Sequence, residues 1–386
     1  MEFNESQKIA IEHGGGPMLL LAGPGSGKTT VLIHRIKYMI QHHGIRPEHI
    51  LVITFTKAAA NEMKIRFRNL CPEVGSVMFG TFHSVFFWIL KNAYNYTGTD
   101  IITDAEKYGA VRDSIERHGF RYDSQEDFAR NVLGEIGCVK SEMCDLKSYE
   151  STTMKTDDFR VVYDDYENFL RYRGKIDFDD MLVFTYELLS QRQDILDMWR
   201  NRFQYILIDE FQDINTIQYD TVKLLAKERN NIFAVGDDDQ SIYGFRGAAP
   251  AIMKRFPKDF PGTKIEYLNT NYRCSYDVVE CSKRIIKNNT DRYDKNLQSA
   301  FAPGESDRVH IVKVKDGTEQ NRKIVDKIRE LNSAGIPYSD IAVIFRTNTE
   351  PRALSSKLME NGIPFSMKDS IPNIFTHFDL LQALYI

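Results

Sequence analysis

Residues 22–29, Ala22-Gly23-Pro24-Gly25-Ser26-Gly27-Lys28-Thr29, set glycines, a lysine and a hydroxyl at the spacing of a phosphate-cradling loop. Glycines let backbone N–H groups turn inward around phosphate oxygens, and a following helix adds the positive end of its dipole. Lys28 then neutralises the β and γ oxygens, and Thr29 offers a hydroxyl to Mg²⁺. Gly25, Ser26, Gly27 and Thr30 complete the expected nucleotide contacts. Ala22 stands where the pattern usually opens on glycine, while the downstream Gly-Ser-Gly-Lys-Thr is intact. The chemistry implied is binding of a nucleoside triphosphate together with Mg²⁺.

Cleaving that triphosphate needs a carboxylate for the metal and a group to aim water. Ile206-Leu207-Ile208-Asp209-Glu210 ends a buried-strand pattern in two carboxylates. Asp209 is suited to hold Mg²⁺ and Glu210 to orient or deprotonate the attacking water; a plain helix cap is the other use of such a pair. Gly236-Asp237-Asp238-Asp239-Gln240 follows a further strand pattern. The amide of Gln240 is suited to sense a γ-phosphate, a solvated acidic turn being the alternative. Ser241-Ile242-Tyr243-Gly244-Phe245-Arg246 then sets Tyr243 and Phe245 beside that amide. Aromatic faces stack on unpaired bases for about 1 to 3 kcal/mol each without demanding sequence. Either ring also has a core reading.

Such groups meet only if strands deliver them to one edge. Runs 18–21, 50–55, 77–79, 205–208 and 232–235 read as strands, alternating early in the chain with helical patterns over 29–40 and 58–70. That rhythm predicts an α/β fold: a parallel sheet covered on both faces, with ligands at the carboxyl ends of its strands. From about 94 to 173 the sequence turns polar and helical, with helices expected over 104–118, 125–135 and 157–172, and reads as an inserted helical subdomain. Pro257 and Pro261-Gly262 mark a linker. Beyond it, strands over 265–268, 309–314, 341–345 and 364–367, with helices over 278–287, 320–331 and 353–361, predict a second β/α unit. The expected domains are 1–93 and 174–262 as two parts of a nucleotide-binding domain, 94–173 as the insert, and 263–386 as part of a second domain.

At 386 residues the chain is long enough for two or three cores. Its net charge of −4 confines any nucleic-acid surface to a local patch. Cys71, Cys138, Cys144, Cys274 and Cys281 are scattered without zinc spacing, as expected of reduced structural thiols. The start of the chain is acidic rather than signal-like, and no apolar run approaches membrane-spanning length, so a soluble, cytoplasmic protein is expected.

The stretches Phe3-Asn4-Glu5-Ser6-Gln7, 22–29, Thr54-Phe55-Thr56-Lys57-Ala58, Gly80-Thr81-Phe82-His83-Ser84, Asp177-Phe178-Asp179-Asp180, Asp209-Glu210-Phe211-Gln212-Asp213, 236–248 and Asn269-Thr270-Asn271-Tyr272-Arg273 follow one another over nearly the whole chain. In that order they resemble the motifs of superfamily 1 DNA helicases of the UvrD/Rep/PcrA type. The resemblance implies a RecA-like P-loop domain, ATP as the nucleotide, and single-stranded DNA and duplex junctions as partners. It makes Gln7 the reader of adenine, for which its amide is suited by pairing with N6 and N7. Tyr272 would lie against the adenine, and Arg273 would reach the γ-phosphate as an arginine finger. Phe55, Tyr243 and Phe245 would stack on bases, with a core role as the other reading of each, and Thr56 and His83 would contact the strand. His83 also reads as an ordinary helix-start residue. Arg346 resembles a DNA-facing position of the second motor domain.

The departures are Thr30 where many relatives have arginine, Phe245 where several have tryptophan, and Lys57-Ala58 where Asn-Lys is common. The chain also stops before the family's later motifs, one of which supplies a second arginine to the γ-phosphate. Loss of an arginine finger costs roughly 10³ to 10⁵ in rate. The expectation is a fragment of a longer ATP-driven 3′-to-5′ translocase of DNA repair or replication, slow in hydrolysis by itself. A nucleotide-gated DNA-binding module that does not unwind is the rival expectation.

Overall fold

Runs such as Met-Leu-Leu-Leu-Ala are too short and too uniformly apolar for a surface helix, and they fold as strands buried on both faces. The computed structural model describes residues 2–120, 125–242, 251–304, 308–347 and 350–367. Within it, β1 (Met18–Ala22), β2 (Ile50–Thr54), β3 (Met78–Thr81), β4 (Tyr205–Ile208), β5 (Ile232–Gly236) and β6 (Lys264–Leu268) form one six-stranded sheet in the order β3-β2-β4-β5-β1-β6. Every pairing in it is parallel.

The two-residue period of the strands sorts their side chains into two cores. Leu19, Leu21, Leu51, Ile53, Ile206 and Ile208 enter one, and Met18, Leu20, Ile50, Val52, Leu207 and Phe233 enter the other. Helices α1 (Glu5–Glu12), α2 (Lys28–His43) and α3 (Lys57–Leu70) cover the second face. Helices α4 (Phe82–Tyr94), α8 (Phe178–Gln191), α9 (Gln193–Arg202), α10 (Thr216–Ala226) and α11 (Ala251–Asp259) cover the first. Each fully buried Leu, Ile or Val of this core contributes about 1.5 to 3 kcal/mol.

The insert has a core of its own. Its helices α5 (Asp104–Arg117), α6 (Gln125–Ser141) and α7 (Thr156–Arg173) pack Val111, Ile115, Val132, Ile136, Phe159 and Tyr166 together. Gly174, at φ 61°, ends α7 in the left-handed region and turns its N–H back to Arg171 O. The chain then re-enters the sheet domain through α8.

Two compact units result, Met1–Val309 and His310–Ile386. The first therefore runs past the boundary expected at residue 262. Segment 265–268, expected to open the second β/α unit, is β6, paired with β1 from Met18↔Lys264 to Ala22↔Leu268. Pro261-Gly262 is a turn rather than a linker: Gly262 takes φ 83°, and Thr263 N–H donates to Phe260 O. After β6 come a short parallel pair, β7 (Thr270–Asn271) and β8 (Gln298–Ser299), and helix α12 (Tyr276–Ile286) between them.

The second unit packs α13 (Gly317–Ser333) and α14 (Pro351–Glu360) around Val325, Ile328, Leu354 and Leu358. The strands expected over 309–314, 341–345 and 364–367 carry no ladder there. An apolar alternating pattern makes a strand only when a partner takes its N–H and C=O groups, and Ile311, Val312 and Ile344 are exposed.

Candidate nucleotide and strand-binding sites

The ends of β1, β4 and β5 in the large sheet, and of the short β7, carry the predicted nucleotide groups to one place. The loop after β1 leads through Gly27, at φ 88°, into α2, which has no side-chain cap and no acidic residue in its first turn. That helix end is suited to an anion. Ser26 is buried and donates its hydroxyl to Gly23 O at 2.7 Å. Gly25 is required by a close approach: at φ 67°, a Cβ there would fall 2.7 Å from Arg273 Cβ and 2.8 Å from Asn271 Oδ1. The Asn271–Arg273 loop is thereby seated on the cradle, and Tyr272 N–H donates to Gly25 O at 2.9 Å.

After β4, Asp209 is 4% exposed and its Oδ1 has no hydrogen-bond partner. Burial first, then the charge of Glu210, pushes its carboxyl up to about 7. A buried oxygen stranded in this way fits a divalent cation. Asp209 would hold Mg²⁺ with Thr29, which lines the adjoining cavity. Glu210 sits in the left-handed region at φ 51° and ψ 46°, and its Oε2 lies 3.4 Å from Lys28 Nζ. The same oxygen accepts from Gln212 Nε2 at 2.9 Å. Gln212 Oε1 in turn accepts from Asp237 N–H at 2.9 Å, and Gln240 Nε2 donates to Asp237 Oδ2 at 2.6 Å. Gly236 must be glycine beside this chain of contacts, since a Cβ would meet Gln212 Oε1 at 2.6 Å.

A cavity of about 190 Å³ collects Gly25, Gly27, Lys28, Thr29, Thr30, Glu210, Gln240 and Arg273. Gln7 does not line it. Its Nε2 donates to Ser26 O at 3.1 Å while its Oε1 accepts from Asn4 N–H at 3.1 Å, so it fastens the cradle from behind and keeps one N–H and one lone pair to spare. Tyr272 is half-exposed, and its hydroxyl accepts from Asn4 Nδ2 at 2.9 Å. Asn4 thus links Gln7 to Tyr272 beside the cradle.

The strand-facing candidates lie past the ends of β2 and β3. Phe55 is half-buried after β2, and Thr56 caps α3 by accepting from Ala59 N–H at 3.1 Å. His83, in the first turn of α4, meets Phe178 edge-on at 5.6 Å. Burial and then Lys107 lower the His83 pKa, so the ring is neutral near pH 7. Phe55 and His83 share a second cavity of about 400 Å³ with Asp179 and Asp213, walled on one side by Gly134 and Gly137 of α6. Tyr243 and Phe245 fall outside the described residues. Arg346 is exposed in the second unit.

Residues 3–261 match the UvrD/REP helicase N-terminal domain, and residues 266–382 match the UvrD-like helicase C-terminal domain. The chain belongs to the UvrD/REP helicase family. YjcD of Bacillus subtilis (strain 168) is 36% identical, over 99% of this chain and 51% of that protein. The ATP-dependent DNA helicases PcrA of Staphylococcus epidermidis and Staphylococcus aureus are 35% and 34% identical, each over 94% of this chain and 50% of their own length. The chain spans about half the length of the curated relatives it matches. The family's C-terminal-domain match opens inside β6, so the family boundary cuts a strand that the sheet keeps whole.

Several residues of this UvrD/REP chain escaped the sequence reading. Arg66 lines the cavity around Lys28, yet with Glu62 it reads as an ordinary surface pair at i,i+4. Phe178 is half-exposed although it opens a helix amid acidic residues, and Lys107 Nζ stands 5.5 Å from its ring centre. An exposed aromatic flanked by carboxylates was the available signal. Lys140 of α6 is 3% exposed and pairs with Asp177 at 3.0 Å, Asp180 at 2.7 Å and Glu167 at 2.5 Å, joining the insert to the start of α8. Tyr166 adds its hydroxyl to Asp177 at 3.0 Å. Burial, and then Asp177, push the Asp180 carboxyl up to about 7.

Proposed function

We propose that this chain carries the ATP-hydrolysing motor of a DNA helicase that moves along single-stranded DNA and opens duplex. The observation that carries the reading is the single cavity joining Lys28, Thr29, Glu210, Gln240 and Arg273 from four strand ends. Lys28 and the N-terminus of α2 hold the β and γ phosphates. Glu210, held by Lys28 and Gln212, aims the attacking water and takes its proton. Gln240 reads the γ-phosphate, and Arg273 and Arg66 answer its charge. Bound Mg²⁺, held by Thr29 and Asp209, supplies charge neutralisation of the phosphates. Tyr272 stacks on the base beside Asn4, and the spare donor and acceptor of Gln7 address adenine. Phe55, His83 and Phe178 grip unpaired bases, with Tyr243 and Phe245 completing the grip. ATP closure and release then alternate the hold on the strand.

The 3′-to-5′ direction, a role in DNA repair or replication, and a cytoplasmic setting rest on family likeness alone. The family likeness also supports reading the residues after β6 as part of a second RecA-like domain. Among the described residues no helix is long and apolar enough to cross a membrane. The test is binding and turnover of Mg-ATP with and without single-stranded DNA. ATP binding that Lys28→Ala abolishes, with hydrolysis that rises on adding the strand, is the expected result. Binding of both ligands without any turnover, in this chain and in a longer natural one, would replace the motor with a nucleotide-gated binding module.

A further inference from the structure

Asp237, Asp238 and Asp239 follow β5 with ligand atoms within 4.8 Å of one another. The group has the look of a cation site, but its counter-charge is already part of the chain. Lys295 Nζ pairs with Asp237, with Asp238 at 2.5 Å and with Asp239 at 2.8 Å, and its side chain is 5% exposed. Arg292 donates Nε and a terminal nitrogen to the two oxygens of Asp239 at 2.7 and 2.6 Å. Tyr293 N–H donates to Asp238 Oδ2 at 2.7 Å, and its hydroxyl to Met253 O at 3.0 Å. Two residues beyond Lys295, Leu297 presses on the phosphate loop: a Cβ on Gly23 would lie 2.6 Å from Leu297 Cδ1. Segment 292–297 therefore braces the sensor loop and the phosphate loop together.

Asp237 is the pivot of this brace. One oxygen faces Lys295 and the other holds the Gln240 amide, while its N–H reaches Glu210 through Gln212. Its side chain is 1% exposed. A carboxylate so buried, with two more beside it, keeps its orientation only while a cation answers it. Gln240 lines the triphosphate cavity, whereas Lys295 does not. We propose that Lys295 is a positioning residue for γ-phosphate sensing: by pinning one oxygen of Asp237 it fixes where the other presents the Gln240 amide to the nucleotide. The inference rests on the reading of Gln240 as the γ-phosphate sensor.

The test compares the affinities of the whole chain for Mg-ADP and for the non-hydrolysable Mg-adenylyl-imidodiphosphate, by titration calorimetry. Their ratio reports γ-phosphate sensing without requiring turnover. Gln240→Ala is expected to lower the ratio about tenfold, and Lys295→Met by a similar factor with ADP affinity unchanged. The double variant is expected to lose no more than either single one. Lys295→Arg, which restores the charge, is expected to recover most of the ratio. A wild-type ratio in Lys295→Met beside a lowered one in Gln240→Ala overturns the proposal and leaves the motor reading standing. Additive losses in the double variant, or a loss of ADP affinity, overturn it as well. An unchanged ratio in Gln240→Ala overturns both the proposal and the sensor assignment beneath it. Should Lys295→Met not fold, Asp237→Asn carries the same comparison, and an unchanged ratio there is equally decisive against the brace.

Discussion

The cavity around Lys28 and the cavity around His83 open from one sheet yet are built by different rules. Around the first, polar groups hold one another in series: Lys28 to Glu210, Glu210 to Gln212, Gln212 to Asp237, Asp237 to Gln240. Around the second, Phe55 is half-buried, His83 and Phe178 meet ring edge to ring face, and α6 lays Leu133, Gly134, Gly137, Cys138 and Ser141 along the wall. Stabilising charge that develops at one phosphate requires donors fixed before the ligand arrives. Stacking on successive bases requires flat, accessible faces and tolerates variation. On the proposed function, one region is a fixed frame and the other an adaptable grip.

The largest test of that contrast removes the frame's working carboxylate. Glu210→Gln is expected to cut ATP hydrolysis about 10² to 10⁴-fold, read by phosphate release, with nucleotide affinity nearly unchanged. Turnover close to wild type would mean the series of contacts does not set the chemistry. Next comes the joint beneath the grip. Lys140→Met leaves the buried Asp177 and Asp180 and the half-buried Glu167 without their cation, and about 3 to 5 kcal/mol of stability is expected to go, measured by urea unfolding. ATP affinity that fell in parallel would show the two regions to be one.

Phe178→Ala sharpens the comparison from the other side. It should cost about 1 to 3 kcal/mol in affinity for a single-stranded oligonucleotide, followed by fluorescence anisotropy at fixed salt, and leave ATP binding alone. The smallest effect is a pH slope. Burial and Lys107 hold the His83 pKa below the ordinary 6.5, so the stability it contributes is present in full above 6.5 and is lost as pH falls below it. His83→Gln should flatten the unfolding free energy over that window. An unaltered slope would mean that the His83 ring meets water in the folded chain as freely as in the unfolded one.

The frame was more legible in the sequence than the grip, and the reason is chain distance. Gly25 to Thr30 act as neighbours in sequence and in space, so their spacing states their chemistry. Asp209 and Glu210 lie far from Lys28 along the chain, but a strand pattern ending in two carboxylates locates them on the sheet. Arg66 and Lys140 have no such signature, because their meaning comes from groups that only folding assembles. Lys295 is 58 residues from Asp237 and looks like any surface lysine until the fold buries it. The error over 265–268 has a related cause: a short apolar run after a Pro-Gly turn looks the same whether it begins a new sheet or edges an old one. Over 309–314, 341–345 and 364–367 the apolar pattern predicts strands that carry no ladder, because side-chain pattern alone does not name the partner a strand requires.

Glu210 keeps a backbone conformation that residues with a side chain seldom choose. Glycine or asparagine at that position would rest there more comfortably. A library screened only for heat tolerance is therefore expected to drift toward those residues at 210 and, on the role proposed for Glu210, to return sturdier proteins that no longer burn fuel.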